Sequence, residues 1–207
     1  MGKVYIFFLA ILIGLIAVSC DKEEVDVYDR QAVLEREAPL LSAYITAKEL
    51  ADDSIKLHQE TGIWYTLIDS GDVAVPYLDT ISPTGEIRLK NMWVQVKYTG
   101  RLLDSTVFEQ NTYIDSIPYV ALLPTATEPG QLQAWQLAFY PKSVGGLLDG
   151  GLKKGAKIRL ITPSVFGYQN RPVGMVSGNS PLDFELEVLD IKEVEPNQVR
   201  DSWYKSQ

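Results

Sequence analysis

The sequence predicts an α+β domain: a mostly antiparallel sheet of about five or six strands wrapped on a short helix, with a further helix in front. Three observations carry this. Apolar and polar residues alternate through Val94–Val96–Tyr98, through Ile158–Leu160 and through Leu182–Phe184–Leu186–Val188, the period of strands with one buried and one wet face. Leu34, Ala38, Leu41 and Ile45 recur at the three-to-four spacing of an amphipathic helix. The later helical stretches are short and interrupted by Gly and Pro.

The elements follow in order. The chain has 207 residues and opens on an apolar run, Val4 to Val18, behind Lys3. That run is shorter than the ~20 residues of a membrane-spanning helix. Its flanks are those of a secretory signal peptide. Its end, Leu15-Ile16-Ala17-Val18-Ser19-Cys20, resembles the bacterial lipoprotein signal, which implies removal of residues 1–19 and lipidation of Cys20. An extracytoplasmic location follows: outer membrane, periplasmic face or cell surface. Cys20 is the sole cysteine, so the core has no disulfide to help it. An acidic tether, residues 20–28, comes next, then a helical leader at 29–58. Its helix runs from about Asp29 to about Ala51, with Pro39 kinking or restarting it. The leader reads as a spacer or as a helix packed on its own domain, in preference to a dimerisation arm.

The main domain spans 59–193, with a tail at 194–207. Two short extended runs flank Glu60-Thr61-Gly62. Residues 71–90 read as a loop or small excursion. "NMWVQVKYTGRLL" is the best strand, and residues 112–131 are irregular. "QAWQLAFY" forms a short helical turn that must stop before Pro141. A second short helix is expected near Leu147 to Lys153, although Gly150 and Gly151 each weaken it by ~1 kcal/mol. "AKIRLITPS" and "SPLDFELEVLDIKEVE" are strands, with Asp183, Glu185, Glu187 and Leu189 on the wet face of the latter.

Composition excludes several functions. A formal net charge of -8 and no Lys/Arg run argue against nucleic acid as a partner. The single histidine, His58, cannot build a Ser–His–Asp set within the domain, and no cysteine remains there as nucleophile or zinc ligand. "VGGLLDGG" lacks the Gly-Lys-Ser/Thr ending of a phosphate loop. No cofactor or metal is expected. What remains is "VKYTGRLLDSTVFEQN", where Tyr98 and Phe108 flank a turn. They are either an ordinary core hairpin or two walls of one apolar pocket.

The ordered set "VKYTGRLLDSTVFEQN", "VGGLLDGGLKKGAKIRLITPSVFGY" and "SPLDFELEVLDI" resembles the FK506-binding-protein type of peptidyl-prolyl cis-trans isomerases over roughly residues 60 to 192. The resemblance implies prolyl isomerisation on extracytoplasmic proteins, with proline-containing segments as partners. It implies a pocket walled by Tyr98 and Phe108, with Glu109 where the family has Asp. Tyr168 supplies a hydroxyl at the rim and Phe184 closes the pocket from the last strand. Val144 would offer a backbone N–H, with Met175 and Val176 at the edge. Leu147 stands at the floor, where the family places Trp; a rival alignment puts Trp135 there at the expense of a longer gap. Further departures are Gly167-Tyr168-Gln169 after the "TPSVF" run and Ser177-Gly178 in place of Pro-Pro. The alternative is the same fold as a non-catalytic chaperone or binding module.

Overall fold

The computed structural model describes residues 28–48, 54–80, 85, 87–113 and 117–193. The signal peptide, Cys20 and the tail at 194–207 lie outside these residues. The strands are β1 (Lys56–His58), β2 (Ile63–Asp69), β3 (Leu78–Thr80), β4 (Ile87–Leu89), β5 (Trp93–Leu102), β6 (Val107–Asn111), β7 (Val120–Ala121), β8 (Lys157–Thr162) and β9 (Leu182–Lys192). The helices are α1 (Arg30–Ala47) and α2 (Gln133–Phe139). Seven strands form one antiparallel sheet in the order β1-β2-β8-β9-β5-β6, with β7 added alongside β5.

The alternation read from the sequence sets the core. Leu182, Phe184, Leu186 and Val188 of β9 are buried, as are Val94 and Val96 of β5 and Ile158 and Leu160 of β8. They share one cluster with Ala134, Trp135, Ala138 and Phe139 of α2, so the short helix closes this face of the sheet. The helix ends at Tyr140, whose extended backbone leads into Pro141, as a residue before proline prefers.

The opposite face is covered at one end. Leu41, Tyr44 and Ile45 of α1 pack on Ile161, with Trp64 and Leu103 partly buried around them. Asp29 caps the helix by accepting from the Gln31 and Ala32 N–H groups at 3.0 and 3.1 Å. Pro39 lies inside the helix on its exposed side, where water can take the carbonyl it leaves unpaired. The leader helix is therefore packed on its own domain.

That docking changes the reading of Asp183, expected on the wet face and found fully buried. Its carboxylate accepts from the Tyr44 hydroxyl at 2.8 Å and from Arg159 Nε and Nη2 at 3.0 and 2.7 Å. The second buried carboxylate, Glu37, accepts from the Ser164 N–H and hydroxyl at 2.7 and 2.6 Å. These two buried carboxylates are the polar bolts that hold α1 to the domain.

Two further expectations change. The helix expected near Leu147 to Lys153 is not formed. A 3-10 turn occupies Lys142–Val144 instead. Gly151 has φ +73, and a Cβ there would lie 2.1 Å from the Phe139 carbonyl, so the segment folds as turns against α2. The excursion at 71–90 holds the β3–β4 hairpin, which forms a separate two-stranded sheet. Ahead of it, Tyr77 is buried and its hydroxyl donates to the Leu152 carbonyl. No described helix is long and apolar enough to cross a membrane.

Candidate functional site

Between β5, β6 and α2 lies a cavity of about 320 Å³. Its construction starts at Gly100. Across the sheet, Leu160 pairs with Phe184, Phe184 with Gly100, and Gly100 with Glu109. The missing side chain at Gly100 leaves a gap in this row, and the Phe108 ring fills it. A Cβ on Gly100 would lie 2.6 Å from Phe108 Cζ and 3.0 Å from Phe184 Cε1.

Simple alternation would send Phe108 and Glu109 to opposite faces of β6. The structure avoids this with an irregular register. Gly100 pairs with Glu109 but Arg101 pairs with Val107, which leaves Phe108 as an extra residue. The bulge brings the Phe108 ring against Phe184 and Tyr168, at centroid distances of 5.8 and 6.3 Å, while Glu109 lines the cavity. Tyr98 and Phe108 are therefore parts of one aromatic cup on the concave side of the sheet.

Trp135 occupies the base of that cup. Its ring lies 5.0 Å from Tyr98 and 5.7 Å from Phe184, both edge-to-face, and only 4% of the residue is exposed. Tyr98, Trp135, Tyr168 and Phe184 all line the cavity, and Phe108 backs it. Leu147, the floor preferred from the sequence, is elsewhere. It is fully buried in the core, its N–H donates to the Leu137 carbonyl at 2.8 Å, and its own carbonyl accepts from the Tyr65 hydroxyl at 3.3 Å. The physical reason is that the helix facing the sheet is the one at 133–139. The residues from 140 to 156 turn back beneath it.

Other expected positions also move. The Val144 N–H closes a turn on the Pro141 carbonyl at 3.0 Å, and the residue is 37% exposed and does not line the cavity. Val176 is buried in the core, bridged to Val173 across a tight turn, and Met175 points outward from the same loop. Neither residue lines the cavity. His58 sits on β1, with Nδ1 2.9 Å from the Thr61 hydroxyl. Sequence reasoning missed other walls, among them Ile117, Pro118 and Val120 from the irregular stretch and Gln131 and Leu132 from the approach to α2. Their one signal was the run of apolar residues and prolines at 117–124, which a solvated loop has no need of.

The cavity is apolar with a few polar handles. Burial, then the neighbouring Glu109 carboxylate and the Tyr168 hydroxyl, push Tyr98 well above the ordinary tyrosine range. Burial and Glu109 raise Tyr168 as well. Both hydroxyls thus stay protonated through the neutral range and act as donors.

Part of the sequence is shared with proteins of known type. The chain is 32% identical over 117 residues to the FKBP-type peptidyl-prolyl cis-trans isomerase FkpA of Buchnera aphidicola subsp. Schizaphis graminum, covering 56% of this chain and 40% of that protein. Over the matched region this chain resembles the FK506-binding-protein type. FkpA of Escherichia coli K12 is 29% identical over 132 residues, covering 64% of this chain and 38% of that one. The chain spans about two-fifths of the length of these curated relatives. Two crystal structures share the fold at 23% identity. The peptidyl-prolyl cis-trans isomerase of Pseudomonas syringae pv. tomato has a TM-score of 0.50 and covers 79% of this chain and 96% of its own. Escherichia coli FkpA has a TM-score of 0.51 and covers 79% and 64%. No family model matches the chain.

Proposed function

We propose that this protein is a peptidyl-prolyl cis-trans isomerase that assists the folding of extracytoplasmic proteins and is held at a membrane by lipid on Cys20. The observation that carries the enzymatic part is the cup of Tyr98, Trp135 and Phe184, backed by Phe108, around a cavity of about 320 Å³. The membrane part rests on the apolar run before Cys20.

The chemistry asks little of the protein. Turning an X–Pro bond breaks amide resonance, a barrier of ~18–20 kcal/mol. Uncatalysed, the step takes about 10–100 s. An apolar cup accepts the prolyl ring. Twisting takes charge off the carbonyl oxygen and localises the lone pair on the prolyl nitrogen, so a hydroxyl donor that reaches this nitrogen favours the twisted amide over the planar one. Tyr98 and Tyr168 are the donors placed to do this, with the Glu109 carboxylate beside both hydroxyls.

The test is a protease-independent isomerisation assay on the full chain in detergent micelles, with Trp135→Leu and Tyr168→Phe beside it. We expect catalysis that falls about tenfold or more in Trp135→Leu and several-fold in Tyr168→Phe, the loss of one hydrogen bond in the transition state. A folded wild type that leaves the exchange rate unchanged overturns the enzyme and leaves a binding module.

A further inference from the structure

The charge around the cavity is one-sided. Among its described lining residues Glu109 alone is charged, and its polar companions Tyr98, Asn111, Gln131 and Tyr168 are neutral. The nearby cations of β5 face the other side of the sheet and are engaged there: Lys97 with Glu187 at 3.5 Å and Arg101 with Glu185 at 3.2 Å. Glu109 forms no ion pair with a described residue. Its cross-strand partner is Gly100, which has no side chain to cover it. An exposed carboxylate with no ion-pair partner among the described residues, its nearest polar neighbours the hydroxyls of Tyr98 and Tyr168, therefore stands at the mouth of an apolar cup.

We propose that Glu109 sets the sequence preference of this cavity, favouring proline segments with Lys or Arg beside the proline and disfavouring those with Asp or Glu. The inference rests on the isomerase reading of the same cavity. A ring seated against Trp135 leaves its neighbouring residue at the mouth, within the field of Glu109. A net charge of -8 adds a diffuse attraction of the same sign. Exposed opposite charges change an equilibrium by about 2–5-fold, and like charges oppose it similarly. The contrast between Lys and Glu at that position is then about tenfold.

The experiment uses three tetrapeptides that differ only before the proline: Lys, Leu or Glu. Exchange rates by NMR give kcat/KM for the full chain and for Glu109→Gln, at low and high salt. Binding of labelled copies by fluorescence polarisation is measured in parallel. The expected order is Lys, then Leu, then Glu, spread about tenfold at low salt. The spread contracts in high salt, as screening demands, and the Lys-to-Glu ratio collapses to within about twofold in Glu109→Gln. Equal kcat/KM for Lys and Glu peptides in the wild type overturns the proposal, as does a ratio that survives Glu109→Gln. If no peptide is turned over, the isomerase reading fails by itself. The binding ratio then decides this inference: a Lys preference lost in Glu109→Gln sustains it, and equal binding sinks it.

Discussion

Leu147 and Trp135 are both almost wholly buried apolar side chains, yet they do different work. Leu147 fills the core and its backbone ties the turn at 140–148 to α2 and to Tyr65. Trp135 faces the cavity and meets two other rings. The expected outcome of Leu147→Ala is a loss of about 2–5 kcal/mol of stability, the usual cost of deleting a buried leucine's methyl groups. The protein that stays folded should keep its isomerase rate. Denaturant melts with the exchange assay on the same samples separate the two effects. An isomerase loss larger than the unfolded fraction explains would return Leu147 to the site. The choice between these residues was open in the sequence because gap length and aromatic identity pointed different ways. What decides it is the turn after Tyr140, where Gly146 lies so close to the Tyr140 carbonyl that a Cβ would meet it at 1.7 Å. That chain reversal leaves no trace in hydrophobic periodicity.

Among the elements, β5 and β9 were plain in the sequence because their alternation is long and one face is largely buried. The short β7 and the β3–β4 hairpin were not, since two or three residues carry no period. The bulge in β6 was equally hidden. It depends on Gly100 in the neighbouring strand, so no local reading of Phe108 and Glu109 finds it. Helix α1 was visible, but its docking was not, because Glu37 and Asp183 look like surface charges until their partners are known. Replacing Glu37 by Ala leaves the Ser164 N–H and hydroxyl buried without an acceptor. Each such orphan costs about 1–3 kcal/mol. The expected outcome is a clear drop in the midpoint of urea unfolding. Limited proteolysis should also show faster cleavage near α1, while cleavage within the sheet stays slow. Unchanged cleavage at α1 would mean that the apolar contacts of Leu41 and Ile45 hold the helix without the carboxylate.

At the scale of the whole molecule, buried tyrosines make this fold lose stability at alkaline pH. Tyr77 and Tyr98 are raised beyond the usual range by burial, and Tyr44 and Tyr168 are raised as well. Tyr140 is pushed up to about 12 from 10.0 by burial, against a smaller opposing effect from the Met92 backbone. Only 4% of Tyr140 is exposed, and its hydroxyl donates to the Lys90 carbonyl at 3.0 Å. Unfolding returns each phenol to an ordinary pKa near 10, so the folded state holds these protons more tightly than the unfolded one. Their contribution is complete below pH 10 and is lost as pH climbs from 10 through the folded pKa, which for Tyr140 is about 12. One such proton gives a slope of at most about 1.4 kcal/mol per pH unit. Unfolding free energy should therefore hold level from neutral pH to about 9 and then fall steeply, with several phenols contributing. In Tyr140→Phe the protein starts lower at pH 9, having lost the bond to Lys90, but falls less steeply by about one proton's slope. The two curves then approach each other between pH 10 and 12. Urea melts at half-unit pH steps measure this directly, and curves that stay parallel through that window would show that Tyr140 ionises alike in the folded and unfolded chain.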